Sequence, residues 1–186
     1  MTLENNNSVI FSNNLASDVN ALLQGVSSEQ LFILTDTQTQ QYCLPLLQSE
    51  GALQQAKVYT MPNGDDHKTI ETVVDIWKFM GENGGTRHSM LINIGGGVVT
   101  DLGGFVANTF KRGIRFINIP TTLLSMVDAA VGGKTGINFN GLKNEIGVIN
   151  PAQNVIIHSD FLKSLDTQNL LSGYAEMLKH GLLSSR

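Results

Sequence analysis

The chain has 186 residues, 41% of them hydrophobic, enough for one well-formed core and too few for two full domains. Its 12 Lys and Arg against 16 Asp and Glu leave a net charge of −4, without the basic excess of a nucleic-acid footprint. The N-terminus has no basic stretch and no long apolar stretch, no run of about 18 apolar residues occurs, and a lone Cys43 can form neither an internal disulfide nor a zinc cluster. These features predict a soluble, unexported protein of a reducing, cytoplasmic compartment, without membrane or nucleic-acid partners, in which Cys43 is a small buried hydrophobe.

The first eight residues are expected to fray. Apolar, often β-branched runs then recur at Leu31 to Leu34, Ala56 to Tyr59, Met90 to Ile94, Phe116 to Ile119 and Val155 to Ile157, the pattern of strands buried on both faces. Between them lie stretches of helical spacing, such as Ile70, Val73, Val74, Trp77 and Met80. The alternation predicts an α/β fold with a Rossmann-like parallel sheet, where ligands gather beyond the carboxyl ends of the strands.

Candidate chemistry follows those strands. After the first, Asp36 can accept hydrogen bonds from a ribose diol or cap a helix. After the second, Pro62 to Lys68, with Asn63, Gly64 and Asp65, is dense in turn formers and reads equally well as a solvated turn. The third runs into Gly95-Gly96-Gly97-Val98-Val99-Thr100-Asp101, where bare backbone can approach a phosphate at a helix N-terminus. Thr100 stands where GxGxxG requires its last glycine, so the ordinary Rossmann fingerprint is not met. Asp101 is expected in the first turn of that helix, where a carboxylate also complements the dipole.

Farther on, Asn140-Gly141 signals a tight hairpin. A two-residue turn would set Asn138 opposite Lys143, with Lys134 and Lys143 projecting from one side as an anion clamp, or as a solvated hairpin. From Ser172 the pattern reads as a helix, with Glu176 and Lys179 on one face as an ion pair. Glu176 and His180 are four apart, a spacing that two metal ligands could share, although such pairs commonly bind no metal.

Together, Gly95-Gly96-Gly97 with Asp101, Arg112-Gly113, Pro120 to Ser125, Asp128, Gly132-Gly133-Lys134-Thr135, Lys143-Asn144 and Ala175 to Lys179 resemble, in order and spacing, the motifs of the 3-dehydroquinate synthases. The resemblance implies a cytoplasmic, homodimeric lyase of the shikimate pathway that uses NAD and a divalent metal, zinc or cobalt. In that family a seven-carbon sugar acid phosphate is oxidised, loses phosphate, is reduced, ring-opens and closes by an aldol step. Carried over, Asp36, the Asn63 to Lys68 loop (Asn63, Gly64, Asp65 and Lys68), Gly96 to Asp101, Thr121, Thr122 and Phe161-Leu162-Lys163-Ser164 would hold NAD. Lys134, Lys143, Asn144 and Lys179 would grip substrate anions, with Asp128 beside the nicotinamide and the two hairpin lysines also touching the cofactor. Arg112 would serve a phosphate site, often the neighbouring subunit's.

Glu176 would be one of three metal ligands. The family's two histidine ligands lie in a helical C-terminal domain, and His67, His88, His158 and His180 occupy other positions. The resemblance therefore implies a cofactor domain over residues 1–165, a first helix of a second domain over residues 166–186, and no activity for this chain alone. Asp65 stands where the family usually has glutamate, one methylene shorter toward the ribose. Rival readings are a related sugar-phosphate cyclase, a metal-dependent glycerol or alcohol dehydrogenase, which lacks the paired lysines, and a non-enzymatic NAD-binding module.

Overall fold

The computed structural model describes residues 8–48 and 51–184. In chain order the strands are β1 (Ser8–Phe11), β2 (Leu31–Asp36), β3 (Lys57–Met61), β4 (Met90–Gly95), β5 (Arg115–Pro120), β6 (Lys134–Phe139), β7 (Leu142–Ile149) and β8 (Asn154–Ile157). The helices are α1 (Leu15–Leu22), α2 (Thr37–Tyr42), α3 (Pro45–Gln48), α4 (Ile70–Glu82), α5 (Gly97–Thr109) and α6 (Thr167–Ser184). Six strands form one parallel sheet in the order β1-β8-β5-β4-β2-β3, and β6 and β7 form a separate antiparallel hairpin.

The sheet is buried on both faces because its strands alternate between two cores. Phe32, Leu34, Leu91 and Phe116 pack with α4, α5 and Ile137 of β6 on one side. Leu31, Ile33, Ile92, Ile117 and Ile119 pack with α1, Leu44, Leu47 and Phe161 on the other. This is the doubly wound arrangement expected from uninterrupted apolar runs. The chain leaves β2 toward β3 and leaves β4 toward β5, in opposite directions across the sheet, so a crevice opens beyond their carboxyl ends.

Two asparagines interrupt this core and position what covers it. Asn93 Nδ2 donates to Asn118 Oδ1 on the adjacent strand at 2.9 Å, and Asn118 Nδ2 donates to the Ala130 carbonyl at 3.0 Å. A Cβ at Gly103 would overlap the Asn93 amide, and one at Gly104 would overlap Thr135 of β6. The glycine pair thus brings α5 against the sheet on one side and the hairpin on the other.

Several sequence expectations change in detail. Ser8 belongs to β1 rather than to a frayed terminus, paired with Asn154, while residues 1–7 lie outside the described residues. Helix α5 starts at Gly97, directly after β4, so Asp101 is its fifth residue and lies beyond the first turn. The final helix begins at Thr167, five residues before Ser172.

The hairpin turns at Asn140-Gly141, both with positive φ, 50° and 78°, the left-handed pair that such a turn needs. Its register then slips: Phe139 pairs with Leu142, but Ile137 pairs with Ile146. The extra residues of β7 form a bulge around Asn144, at φ 54°, whose N–H donates to Asn138 Oδ1 at 3.0 Å. The ladder is therefore interrupted where Asn138 was expected to oppose Lys143.

Candidate functional site

A cleft of about 560 Å³ lies beyond the carboxyl ends of β2, β4 and β5. Asp36 at the end of β2, Gly97 and Val98 in the first turn of α5, and Asn63, Gly96, Thr121, Thr122, Phe161 and Ser164 from the segments between the strands and helices line it. No side chain caps α5 at Gly96, so its leading N–H groups are left for an anion. A Cβ on Gly96 would lie 3.1 Å from Thr122 Cγ2, and one on Gly97 would lie 3.3 Å from Ala129 Cβ. Bare backbone at this turn suits the pyrophosphate of a dinucleotide.

Asp36 has both of the roles open to it within reach. Its Oδ1 accepts the Thr39 N–H at 2.8 Å as the N-cap of α2, and its side chain also lines the cleft. Thr122 Oγ1 accepts the Ser125 N–H at 3.2 Å, fixing the turn after β5. Cys43 is buried at the cleft wall, and burial pushes its thiol up to about 11, so it stays protonated and unreactive.

Beside the cleft, a cavity of about 470 Å³ lies between α5, the hairpin and the π-helical turn Ser125–Ala129. Its polar lining is Asp101, Asp128, Lys134, Thr135 and Asn144. The hub beneath it is Lys68, which is almost fully buried. Lys68 Nζ donates to Asp101 Oδ2 at 2.6 Å and to Asn144 Oδ1 at 2.5 Å. Burial pushes the Asp101 carboxyl up against the opposing pull of Lys68. The Pro62 to Lys68 segment is thus not a free solvated turn, because its last residue ties α5 to the β7 bulge.

The two hairpin lysines part company. Lys134 lines the cavity, whereas Lys143 is largely exposed and pairs with Asp65 Oδ2 at 3.0 Å. That contact holds the Asp65 carboxyl below the usual carboxylate range. Asn138 completes the link, with Nδ2 donating to the Asp65 carbonyl and to Oδ2, both at 3.2 Å. The sequence reading did not single out this bridging role. The adjacent Asn140-Gly141 turn marks the hairpin, but not the loop it would meet.

Helix α6 crosses the π-helical turn at Gly173, its only buried residue among those described. A Cβ there would lie 2.5 Å from the Leu124 nitrogen. One turn later Glu176 receives Lys179 as an ion pair and His180 Nε2 at 3.2 Å; the Lys179 ammonium holds the Glu176 carboxyl below its ordinary range. Asp128 Oδ1 lies 3.7 Å from His180 Nε2. Sequence spacing offered Glu176 and His180 as a pair; only the packing of α6 adds Asp128.

Other expected site residues stand apart. Val99 and Thr100 lie on the buried face of α5 and line neither cavity. Leu162 packs against the core, and Lys163 pairs with Asp160 at 2.9 Å. Gly64 lines neither cavity and turns the loop at φ 118°. Arg112 is exposed beyond the far end of α5, a 13-residue helix about 20 Å long, and touches neither cavity.

A family model described as 3-dehydroquinate synthase N-terminal matches residues 58–172. The 3-dehydroquinate synthase of Parabacteroides distasonis is 52% identical over 177 residues, which cover 95% of this chain and 50% of that protein. That of Clostridium tetani is 43% identical over 157 residues, covering 84% of this chain and 42% of the relative. Among solved structures, 2-epi-5-epi-valiolone synthase from Streptomyces hygroscopicus, with NAD+ and Zn2+ bound, superposes with a TM-score of 0.84 at 30% identity, covering 96% of this chain and 50% of that one. The chain spans about half the length of the curated relatives it matches.

Proposed function

The chain belongs to the 3-dehydroquinate synthase family, and we propose that it is the dinucleotide-binding half of an enzyme converting 3-deoxy-D-arabino-heptulosonate 7-phosphate to 3-dehydroquinate with loss of phosphate. The observation that carries this reading is the cavity where Asp128, Lys134 and Asn144 stand beside the glycine turn of the cleft. A simple dinucleotide-binding module has no use for a cation and two polar groups gathered at that place.

When bound, NAD supplies a reversible hydride acceptor, and a divalent ion, zinc or cobalt, supplies a Lewis acid for the hydroxyl being oxidised. The residues present suit both groups. Asp36, Asn63, Thr121, Thr122, Phe161 and Ser164 form walls for a nucleotide around bare backbone, and Glu176 offers a carboxylate beside His180, which lies 3.7 Å from Asp128 of the neighbouring cavity lining.

Toward the substrate, Lys134 donates to an anionic oxygen, the contact that matters most as phosphate departs and its charge grows. Asn144, held in position by Lys68, presents its remaining polar atoms for orientation. Lys179, now paired with Glu176 and more than half exposed, would offer a second cation to a substrate anion on leaving that carboxylate. Lys143 orders the Asp65 loop and reaches substrate or cofactor only after leaving Asp65. Asp128 faces the same cavity and can accept a hydroxyl proton.

Helix α6 fits the role of first helix of a second domain, over residues 166–186, while residues 1–165 form the cofactor domain. Leu171, Tyr174, Met177, Leu178, Leu182 and Leu183 are exposed along it, a face suited to burial by further helices. Arg112, remote from both cavities, suits a neighbouring subunit's phosphate site, and the exposed Phe139, Leu142 and Ile149 of the hairpin suit a homodimer. No helix among the described residues is long and apolar enough to cross a membrane. A cytoplasmic setting fits the free, buried Cys43.

The test is turnover by the full-length gene product with the heptulosonate phosphate, a hexose phosphate and simple alcohols. Phosphate release and 3-dehydroquinate formation from the first alone support the reading. Turnover of the second would make the protein a different sugar-phosphate cyclase, and of the third a dehydrogenase.

A further inference from the structure

One side chain ties the loop after β3 to the bulge of β7. Asn138 Nδ2 donates to the Asp65 carbonyl and to Asp65 Oδ2, both at 3.2 Å, while Asn138 Oδ1 accepts the Asn144 N–H at 3.0 Å. The Asn138 N–H donates to the Lys68 carbonyl at 2.8 Å, and Lys68 Nζ donates in turn to Asn144 Oδ1. Lys68, Asn138 and Asn144 thus close a ring of hydrogen bonds, with Asn138 half-buried between the two loops.

Asn144 needs such a hold. It lies in the left-handed region at φ 54°, which asparagine tolerates but does not prefer. It also falls in the slip between the Phe139–Leu142 and Ile137–Ile146 pairs, so no ladder partner fixes its backbone. With Oδ1 taken by Lys68, its amide donors are what Asn144 can offer the cavity it lines. Holding the backbone N–H at one end and the side-chain oxygen at the other sets the direction of those donors. Only a side chain with a donor and an acceptor on one carbon can meet the Asn144 N–H and the Asp65 carboxylate at once; aspartate lacks the donor, and serine and threonine lack the span.

We propose that Asn138 is a positioning residue for the reaction, holding Asn144 in its substrate-facing conformation and locking the bulge to the Asp65 loop. Asn138 does not itself line the cavity. The role of Asn144 toward substrate rests on the family reading; its conformation does not. Without Asn138 the bulge samples other conformations, and apparent substrate affinity weakens in proportion to the fraction of chains still ready to bind. Once substrate is seated, Asn144 is back in place and the chemical step proceeds nearly as before. The signature is a raised KM with kcat nearly kept.

Amide exchange and kinetics together test this. In the 186-residue chain, NMR should show the Asn144 N–H exchanging at least about fivefold faster in Asn138→Ala, with that of Ile92 in the central strand β4 unchanged. In the full-length protein, Asn138→Ala should raise KM for the heptulosonate phosphate about tenfold, the weight of one neutral hydrogen bond, with kcat within about threefold of wild type. In an Asn144→Ala background the same substitution should have little further effect, because a residue acting through another adds nothing once that other is gone. If Asn138→Ala fails to fold, Asn138→Thr, a better strand former whose hydroxyl cannot span both loops, takes its place in both measurements. Unchanged Asn144 exchange, a loss carried mainly by kcat, or losses that multiply in the double variant overturn the proposal. Exchange is read without substrate, so absent wild-type turnover sinks the family reading alone, and the Asn144 amide still decides whether Asn138 holds the bulge.

Discussion

Lys68 and Asp101 form an ion pair 2.6 Å long whose side chains are only 5% and 21% exposed. A pair this sheltered is costly to halve, because the remaining charge loses its partner without regaining water. It joins the loop after β3 to α5, and through Asn144 to the hairpin. Lys68→Met should therefore destabilise the fold by about 3 kcal/mol at neutral pH, read from urea unfolding. A loss below about 1 kcal/mol, the range of exposed pairs, would show that the charges are better solvated than their burial indicates.

The same pair predicts a pH dependence. Burial raises the Asp101 carboxyl above its unfolded pKa while Lys68 opposes the rise. Between those two values the folded chain holds a proton that the unfolded chain has released, so this group withdraws stability as pH rises through that window. Removing Lys68 lifts the folded value further and widens the window upward. The stability difference between wild type and Lys68→Met should grow from about pH 4 toward neutrality. A difference that stays constant with pH would contradict this.

Gly103→Ala tests how the core sets the position of α5. The added methyl would overlap the Asn93 amide and disturb its bond to Asn118. Overpacking of this kind costs about 1–3 kcal/mol, measurable as a lower Tm. An unchanged Tm would mean that the asparagine pair moves aside freely.

Asp36 separates cofactor contact from helix capping. Asp36→Ser keeps a capping oxygen for the Thr39 N–H but loses the reach into the cleft. NAD+ affinity, by calorimetry, should fall at least tenfold with little change in Tm. Equal affinity would leave Asp36 as a cap alone. Affinity of this chain should also be weaker than that of the full-length protein, and equal values would show that the second half adds nothing to the cleft.

The parts of this molecule that were legible in its sequence are those fixed by local chemistry. The runs from Leu31, Met90 and Phe116 are strands because a strand buried on both faces requires unbroken apolar residues. The hairpin turn was legible in Asn140-Gly141. Strand β1 was not, since it is a short edge strand with Val9 and Phe11 exposed, and only its pairing with β8 defines it. The bulge at Asn144 depends on a distant partner: Lys68, 76 residues earlier, holds its side chain. For the same reason the equal treatment of Lys134 and Lys143 as one clamp does not describe the structure, which sends one lysine to the cavity and the other to Asp65. The nearness of His180 to Asp128 likewise follows from the crossing of α6 at Gly173, a tertiary fact with no local signature.

The measurement that bears most directly on the account is steady-state phosphate release from the heptulosonate phosphate by the full-length protein, comparing wild type with Lys134→Met and Lys143→Met. Lys134 lines the cavity and Lys143 is held by Asp65. Loss of a charge-assisted contact at the departing phosphate costs about 2–4 kcal/mol, roughly 30- to 1000-fold in kcat/KM. Lys134→Met should fall in that range, through kcat as well as KM, and Lys143→Met should lose less. A Lys134→Met enzyme within about threefold of wild type, well short of the roughly 1.4 kcal/mol of a tenfold change, would place the cavity outside the reaction and contradict the account.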